Sequence, residues 1–329
     1  GEAISYEIVG IYRKGDPWAV TDYQNFTPNT IFVPKNSINA PYAEPVGGLF
    51  TLFILENGTM ETFAHAVAEA GFDAWDFSMF AMCRYDWANK CLKENRHPLA
   101  GNDYLAFARK LKQIGLDNGI VCNQAHAPFP TYCGEIRGYL KRAIECTAEA
   151  GGKICIIHPD NYKSPEENAE MYAELLPFAR ECGVKIATEN MWNWDDKAGQ
   201  AAPAACSSPE SFCAHVDALQ DDFMVACLDI GHAEMRGVDT SAVEMIHALG
   251  HRLQALHIHD NDKLHDSHQI PFSMQIDFPA VAKALKDIGY AGELTLEADA
   301  YLRGRTADNI FEGMQNMASA AKRLDELMK

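Results

Sequence analysis

The chain has 329 residues, 47% apolar and 22% charged, enough to fill one large core or two smaller ones. Acids outnumber bases 46 to 28, and the net charge of −18, with no Lys/Arg cluster, weighs against a nucleic-acid partner. No run approaches the ~18 apolar residues of a membrane span, and the opening residues lack a secretory pattern, so a cytoplasmic protein away from membranes is expected.

Taken in order, residues 1–47 carry Pro17, Pro28, Pro34, Pro41 and Pro45 among aromatics, without a repeating period. They are expected to form an ordered extension packed on the rest, near a partner subunit if the chain is a homo-oligomer. From residue 48 to 329, short apolar runs alternate with amphipathic stretches. The runs at 49–55, 72–78, 120–125, 153–157, 184–188, 223–228, 253–256 and 293–296 read as eight strands. Between them, helical spacing predicts helices over 60–70, 104–116, 165–182, from 209, over 278–288 and over 306–329. Ser164-Pro165-Glu166-Glu167 and Ser208-Pro209-Glu210 supply an N-cap, a first-turn Pro and first-turn acids. Strand–helix alternation repeated eight times predicts an α/β fold, a single (β/α)8 TIM barrel over 48–329 with an N-terminal extension. A doubly wound sheet is the alternative, but no glycine-rich dinucleotide or phosphate loop follows any strand. The ten cysteines form no Cys-x-x-Cys pair, and free thiols in that number suit a reducing compartment.

The strand ends carry the chemistry. Six consecutive predicted strands finish at or just beyond His126, His158, Glu189, Asp229, His257 and Glu297. In a barrel these positions share the carboxyl face and converge on one pocket. Clustered carboxylates repel each other, and a divalent cation resolves that repulsion. Mixed imidazole and carboxylate donors suit Mn2+ first, then Zn2+ or Co2+, with Mg2+ if the histidines contribute little. His65, His215, His247 and His251 fall in helical stretches and are expected to be surface or helix-end residues.

Read as an ordered set, Ala187-Thr188-Glu189-Asn190-Met191, Leu228-Asp229-Ile230-Gly231-His232, His257-Ile258-His259-Asp260-Asn261 and residues 289–297 resemble the xylose-isomerase-like TIM-barrel superfamily. The resemblance implies that Glu189, Asp229, His257 and Glu297 hold one divalent metal, and that Glu189 and Glu297 are the catalytic acid/base pair. It implies substrate contacts from His232 and from the strand-end residues His126 and His158, with His268 beyond the seventh strand. Asp195 and Lys263 fall near positions where relatives bind substrate, with a different residue type at each. Trp192, just after the fifth strand, could form an apolar wall against a sugar; packing of its loop is the plainer alternative.

The expected activity is sugar or sugar-phosphate isomerisation or epimerisation. A metal-stabilised enediolate would form when one carboxylate removes a proton beside a carbonyl. Inosose-type dehydration and a non-catalytic metal-dependent binding module are further alternatives. The superfamily also contains the DNA-repair enzyme endonuclease IV, whose three-zinc site has nine counterparts here: His126, His158, Glu189, Asp229, His232, His257, Asp266, His268 and Glu297. The acidic charge balance favours the small-molecule sugar over DNA.

Overall fold

A computed structural model describes residues 60–86, 89–93, 97–306 and 308–329. The proposed extension and the first predicted strand, residues 49–55, lie outside them.

The chain runs α1 (Met60–Ala70), β1 (Ala74–Ser78), β2 (Arg84–Asp86), β3 (Cys91–Lys93), α2 (Tyr104–Asp117), β4 (Val121–His126), α3 (Arg137–Ala150) and β5 (Ile154–Ile156). It continues through α4 (Pro165–Cys182), β6 (Lys185–Glu189), β7 (Trp192–Asp195), β8 (Gln200–Pro203), α5 (Pro209–Asp217) and β9 (Met224–Asp229). The last elements are the single turn α6 (Ile230–Ala233), α7 (Ala242–Leu249), β10 (Leu253–His257), α8 (Phe278–Asp287) and α9 (Ile310–Met328).

Local chemistry sets these boundaries. The Ser164 hydroxyl accepts from the Glu167 amide at 3.3 Å while the Glu167 carboxylate accepts from the Ser164 amide at 2.8 Å, a reciprocal cap for α4. Gly183 ends the helix at φ +66, where a Cβ would be strained. The Asp277 carboxylate caps α8 by accepting from the Ala280 amide at 3.1 Å.

Six strands form one parallel sheet in the order β1-β4-β5-β6-β9-β10. Around it the helices meet in a closed circuit: α1, α2, α3, α4, α5, α7, α8, α9 and back to α1. A curved parallel sheet inside a closed helical ring is an α/β-barrel arrangement. Side chains cross the interior: Gln124 Nε2 donates to the Leu256 carbonyl at 3.2 Å, and Asn123 Nδ2 donates to Thr295 Oγ1 at 2.7 Å.

The predicted strand at 293–296 forms only an isolated parallel bridge, Ile258 to Leu296. The Ile258 amide donates to the Thr295 carbonyl at 2.9 Å and the Glu297 amide to the Ile258 carbonyl at 3.0 Å. Of its two expected neighbours, only β10 lies among the described residues, so no full ladder develops there.

Strand alternation separates two cores. Ile156, Ala187, Val225, Cys227 and Ala255 fill the barrel interior with small or narrow side chains. Ile186, Ala226, Leu228 and Leu256 face outward into the layers between sheet and helices. Continuing the inward parity by two residues reaches Glu189, Asp229 and His257. The strand period therefore aims all three at one end of the barrel.

Candidate functional site

His126, His158, Glu189, Trp192, His232, His268 and Glu297 line one cavity of about 560 Å3. That volume is ordinary for a small-molecule pocket, typically ~300–1,000 Å3. Asp229 and His257 lie beneath its floor, 0% and 2% exposed.

Glu189 is the hub. Its Oε1 lies 3.0 Å from His257 Nδ1, and its Oε2 is 3.2 Å from His158 Nε2 and 3.5 Å from His126 Nε2. His257 Nδ1 also sits 3.2 Å from Glu297 Oε2. Each of Glu189, Asp229, His257 and Glu297 offers one ligand atom within 4.8 Å of the others.

The imidazoles are oriented from behind. Nδ1 of His126 donates to the Ala127 carbonyl at 2.9 Å, that of His232 to the Asn190 carbonyl at 2.9 Å, and that of His268 to the Glu297 carbonyl at 2.7 Å. Since a carbonyl can only accept, Nδ1 carries the proton, and in the neutral ring Nε2 keeps its lone pair. Ligating histidines are held in this way in metal sites. On the far side of His257, Nε2 is 3.5 Å from Asp76 Oδ2, which accepts from Gln124 Nε2 at 2.9 Å. Asp76, from β1, would complete a carboxylate–histidine–metal relay.

A second group adjoins the first. Asp266 lies 3.3 Å from both His232 and His268 and 3.4 Å from His259, whose Nε2 is 3.1 Å from Asp229 Oδ1. The His259 ring stacks on His268 with centroids 4.2 Å apart. Gly231 explains the close packing here, because a methyl at that position would overlap the His259 ring. Asn190 ties the two strand ends together: its side chain accepts from the Asp229 amide at 2.7 Å and donates to the Asp229 carbonyl at 2.9 Å.

Among the described residues, several buried atoms remain without hydrogen bonds: Glu189 Oε2, Asp229 Oδ2, His259 Nε2 and Asp266 Oδ1. Buried polar groups are normally satisfied, and an ion is one recognised explanation when they are not. The donor set of oxygen and imidazole nitrogen, aimed inward and orphaned, fits a divalent cation.

The two central carboxylates have opposite proton affinities. Burial alone would raise the Glu189 carboxyl, but His257, His126 and His158 outweigh it and hold Glu189 well below the usual range. Burial raises the Glu297 carboxyl, and the charges of Glu189 and Asp229 add to the effect. Two carboxyls driven apart suit opposite roles in proton transfer.

The structure places two of the named residues outside the cavity lining and His215 in the last turn of α5. Asp195 lies away from the cavity lining and instead closes the β7–β8 turn, accepting from the Lys197 amide at 2.8 Å and the Ala198 amide at 3.1 Å. Lys263 also lies outside the lining, with its ammonium donating to Glu234 at 2.8 Å. His215 is buried at 3% exposure, its Nδ1 donating to the Ser211 carbonyl at 2.7 Å, whereas His65, His247 and His251 are exposed. Asp76 and His259 are the site residues that sequence reasoning left without a role. His259 had a usable signal, since it continues the inward parity of Ala255 and His257.

A family model described as a xylose isomerase-like TIM barrel matches residues 64–325. An uncharacterized protein of Methanocaldococcus jannaschii is 28% identical over 251 residues, spanning 70% of this chain and 76% of the relative. An uncharacterized protein of Sinorhizobium fredii is 31% identical over 202 residues, or 57% and 60% of the two chains. Among solved structures, a D-tagatose 3-epimerase-like protein superposes with a TM-score of 0.60 at 20% identity, covering 84% of this chain and 97% of its own. A D-psicose 3-epimerase gives 0.59 at 14% identity, covering 82% and 94%. At that identity the likeness is one of fold.

Proposed function

We propose a function for a chain that belongs to the xylose isomerase-like TIM barrel family: divalent-metal-dependent isomerisation or epimerisation of a sugar. One observation carries the reading. Glu189, Asp229, His257 and Glu297 each offer a ligand atom within 4.8 Å of the others, and among the described residues Glu189 Oε2 and Asp229 Oδ2 are buried without a hydrogen bond.

Glu189, Asp229, His257 and Glu297 would hold the cation, which when bound supplies Lewis-acid stabilisation to negative charge on substrate oxygens. One of the two carboxylates, Glu189 or Glu297, would take a proton from a carbon beside a carbonyl, and the other would return one. Return to the same carbon from the opposite side inverts it, and return to its neighbour isomerises the sugar. His126, His158, His232 and His268, whose Nε2 atoms stand beside Glu189 or Asp266 at the cavity, would contact substrate hydroxyls, and Trp192 would form part of the wall. The solved structures of similar fold include sugar 3-epimerases.

A second reading has its own support. The ligand groups His126/His158/Glu189 and His232/His259/Asp266/His268 flank the central one, so all nine counterparts of the three-zinc endonuclease site stand together. The net charge of −18 opposes it, because duplex binding rests on phosphate neutralisation.

Metal analysis joined to two assays decides between them. The expected result is one catalytically required ion per chain, loss of ketose turnover on chelation, and no incision of an abasic-site duplex. Full turnover without metal would sink the metal-dependent reading. Three zincs with robust incision would put the endonuclease in its place.

A further inference from the structure

The loop that leads from β10 to α8 carries Asp266 and His268 into the cavity lining. Its backbone is held in unfavourable places. Lys263, His268 and Phe272 take φ of +63, +44 and +70, left-handed conformations that residues with a Cβ rarely adopt. Such conformations persist only where the surroundings over-determine them.

Asp260 supplies that determination. It is fully buried, and its carboxylate accepts from the amides of Asn261 at 2.9 Å, Met274 at 2.7 Å and Ile276 at 3.1 Å. Its own peptide pairs with Gln269 in both directions, donating to the Gln269 carbonyl at 2.8 Å and accepting from the Gln269 amide at 3.0 Å. The outgoing and returning arms of the loop therefore meet at one residue, and His268 is the neighbour of that bridge. Asp266, two residues earlier, stands 3.3 Å from both His232 and His268. Three amide donors call for a group that only accepts, and an ionised carboxylate is such a group, with stronger bonds than a neutral oxygen makes. Apolar anchoring of the loop is separate: Ile270 packs in the layer with Ala298 and Met317, and Ile276 in the layer with Phe278 and Val281.

We propose that Asp260 is a positioning residue, whose carboxylate gathers both arms of this loop and so sets Asp266 and His268 against His232 at the cavity. The consequence for substrate rests on the isomerase reading, through the contact expected of His268. The placement of the loop does not.

Asp260→Asn tests this in the full chain. It keeps the size of the side chain but turns one acceptor into a donor facing an amide. The apolar anchors are untouched, so the barrel should fold. Nuclear magnetic resonance of the ring N–H protons reads the placement. The Nδ1–H signal of His268, bonded to the Glu297 carbonyl, should shift or disappear. Those of His126 and His232, bonded to the Ala127 and Asn190 carbonyls outside the loop, should stay. With a sugar that the metal-loaded chain turns over, kcat/KM should fall about 10- to 100-fold, the scale of a misplaced contact. The larger share should lie in KM, since a binding group has moved rather than a proton-transfer group. An unchanged His268 signal in the folded variant overturns the proposal, as does an unchanged kcat/KM in an active chain. Loss of all three signals together marks general loosening and overturns it too. If the unaltered chain turns over no sugar, the isomerase reading fails and the His268 signal alone decides. If Asp260→Asn does not fold, amide exchange in the unaltered chain decides. Met274 and Ile276 amides that exchange far more slowly than in an unfolded chain support the proposal, and exchange at the unfolded rate overturns it.

Discussion

The two ends of the barrel handle charge in opposite ways. Where the strands begin, several charged groups meet polar or charged partners. Lys185 donates to Gln254 at 2.8 Å, Arg252 grips Asp217 with bonds of 2.7 and 2.6 Å, and Arg180 meets Asp221 at 2.6 Å. Where the strands end, Glu189, Asp229, His259 and Asp266 each keep a buried atom that makes no hydrogen bond among the described residues. A single strand spans the contrast, since β6 carries Lys185 at one end and Glu189 at the other. One end is built to be satisfied by the protein itself, the other to be completed by something that binds. Conserving stability and leaving polar groups open to a ligand are competing demands, and the fold separates them in space.

The sharpest way to break this comparison is to neutralise the open end. Glu189→Gln and Glu297→Gln keep size and most hydrogen bonding but remove the proton acceptor. Each should slow turnover by about 10²-fold or more, the usual contribution of a general acid or base. Deuterium from solvent should enter at the reacting carbon in the unaltered chain and fail to enter in both variants. Near-normal exchange in both would reject the two-carboxylate mechanism.

A smaller effect is expected one shell further out. Asp76 lies outside the lining of the site cavity but faces His257 Nε2 at 3.5 Å, and its Oδ1 is buried without a hydrogen bond among the described residues. Asp76→Asn removes the charge that makes the imidazole a better donor. Metal affinity, measured by competition with a chelator of known strength, should fall about 10- to 100-fold while the fold persists. Unaltered affinity would make Asp76 a packing residue.

These residues also mark what a sequence can disclose. Glu189, Asp229 and His257 were legible because each closes an apolar run, and period-two alternation fixes which way such a residue points. The Ser164 and Asp277 caps were legible for an equally local reason. Asp76 was not, because it sits mid-strand between Trp75 and Phe77 and only the pairing of β1 with β4 brings it beneath His257. Asp195 and Lys263 were named only through the family resemblance, with a different residue type at each, and the β7–β8 hairpin carries Asp195 into a turn. The helix α3 passed unnoted, since its polar residues dilute an apolar face made by Leu140, Ala143, Ile144 and Ala150.

The smallest predicted effect lies at the satisfied end. Arg252 holds the Asp217 carboxyl below the usual carboxylate range, chiefly by hydrogen bonding, yet the Asp217 side chain is 50% exposed. Solvent screening limits such a pair to about 0–1 kcal/mol. The sign follows from the lowered value. The folded state binds the proton less readily than the unfolded chain, so the pair's contribution is complete above the unfolded pKa of about 3.9 and drains away as the pH falls through the folded value. Asp217→Asn should therefore cost at most about 1 kcal/mol at neutral pH in a denaturant titration, and progressively less toward acid and in high salt. Metal content and turnover should not change, because the pair stands at the opposite end of the strands from Glu189. A loss of turnover comparable to that of Glu189→Gln would show that the two ends are coupled and that the spatial separation of stability from chemistry does not hold in this barrel.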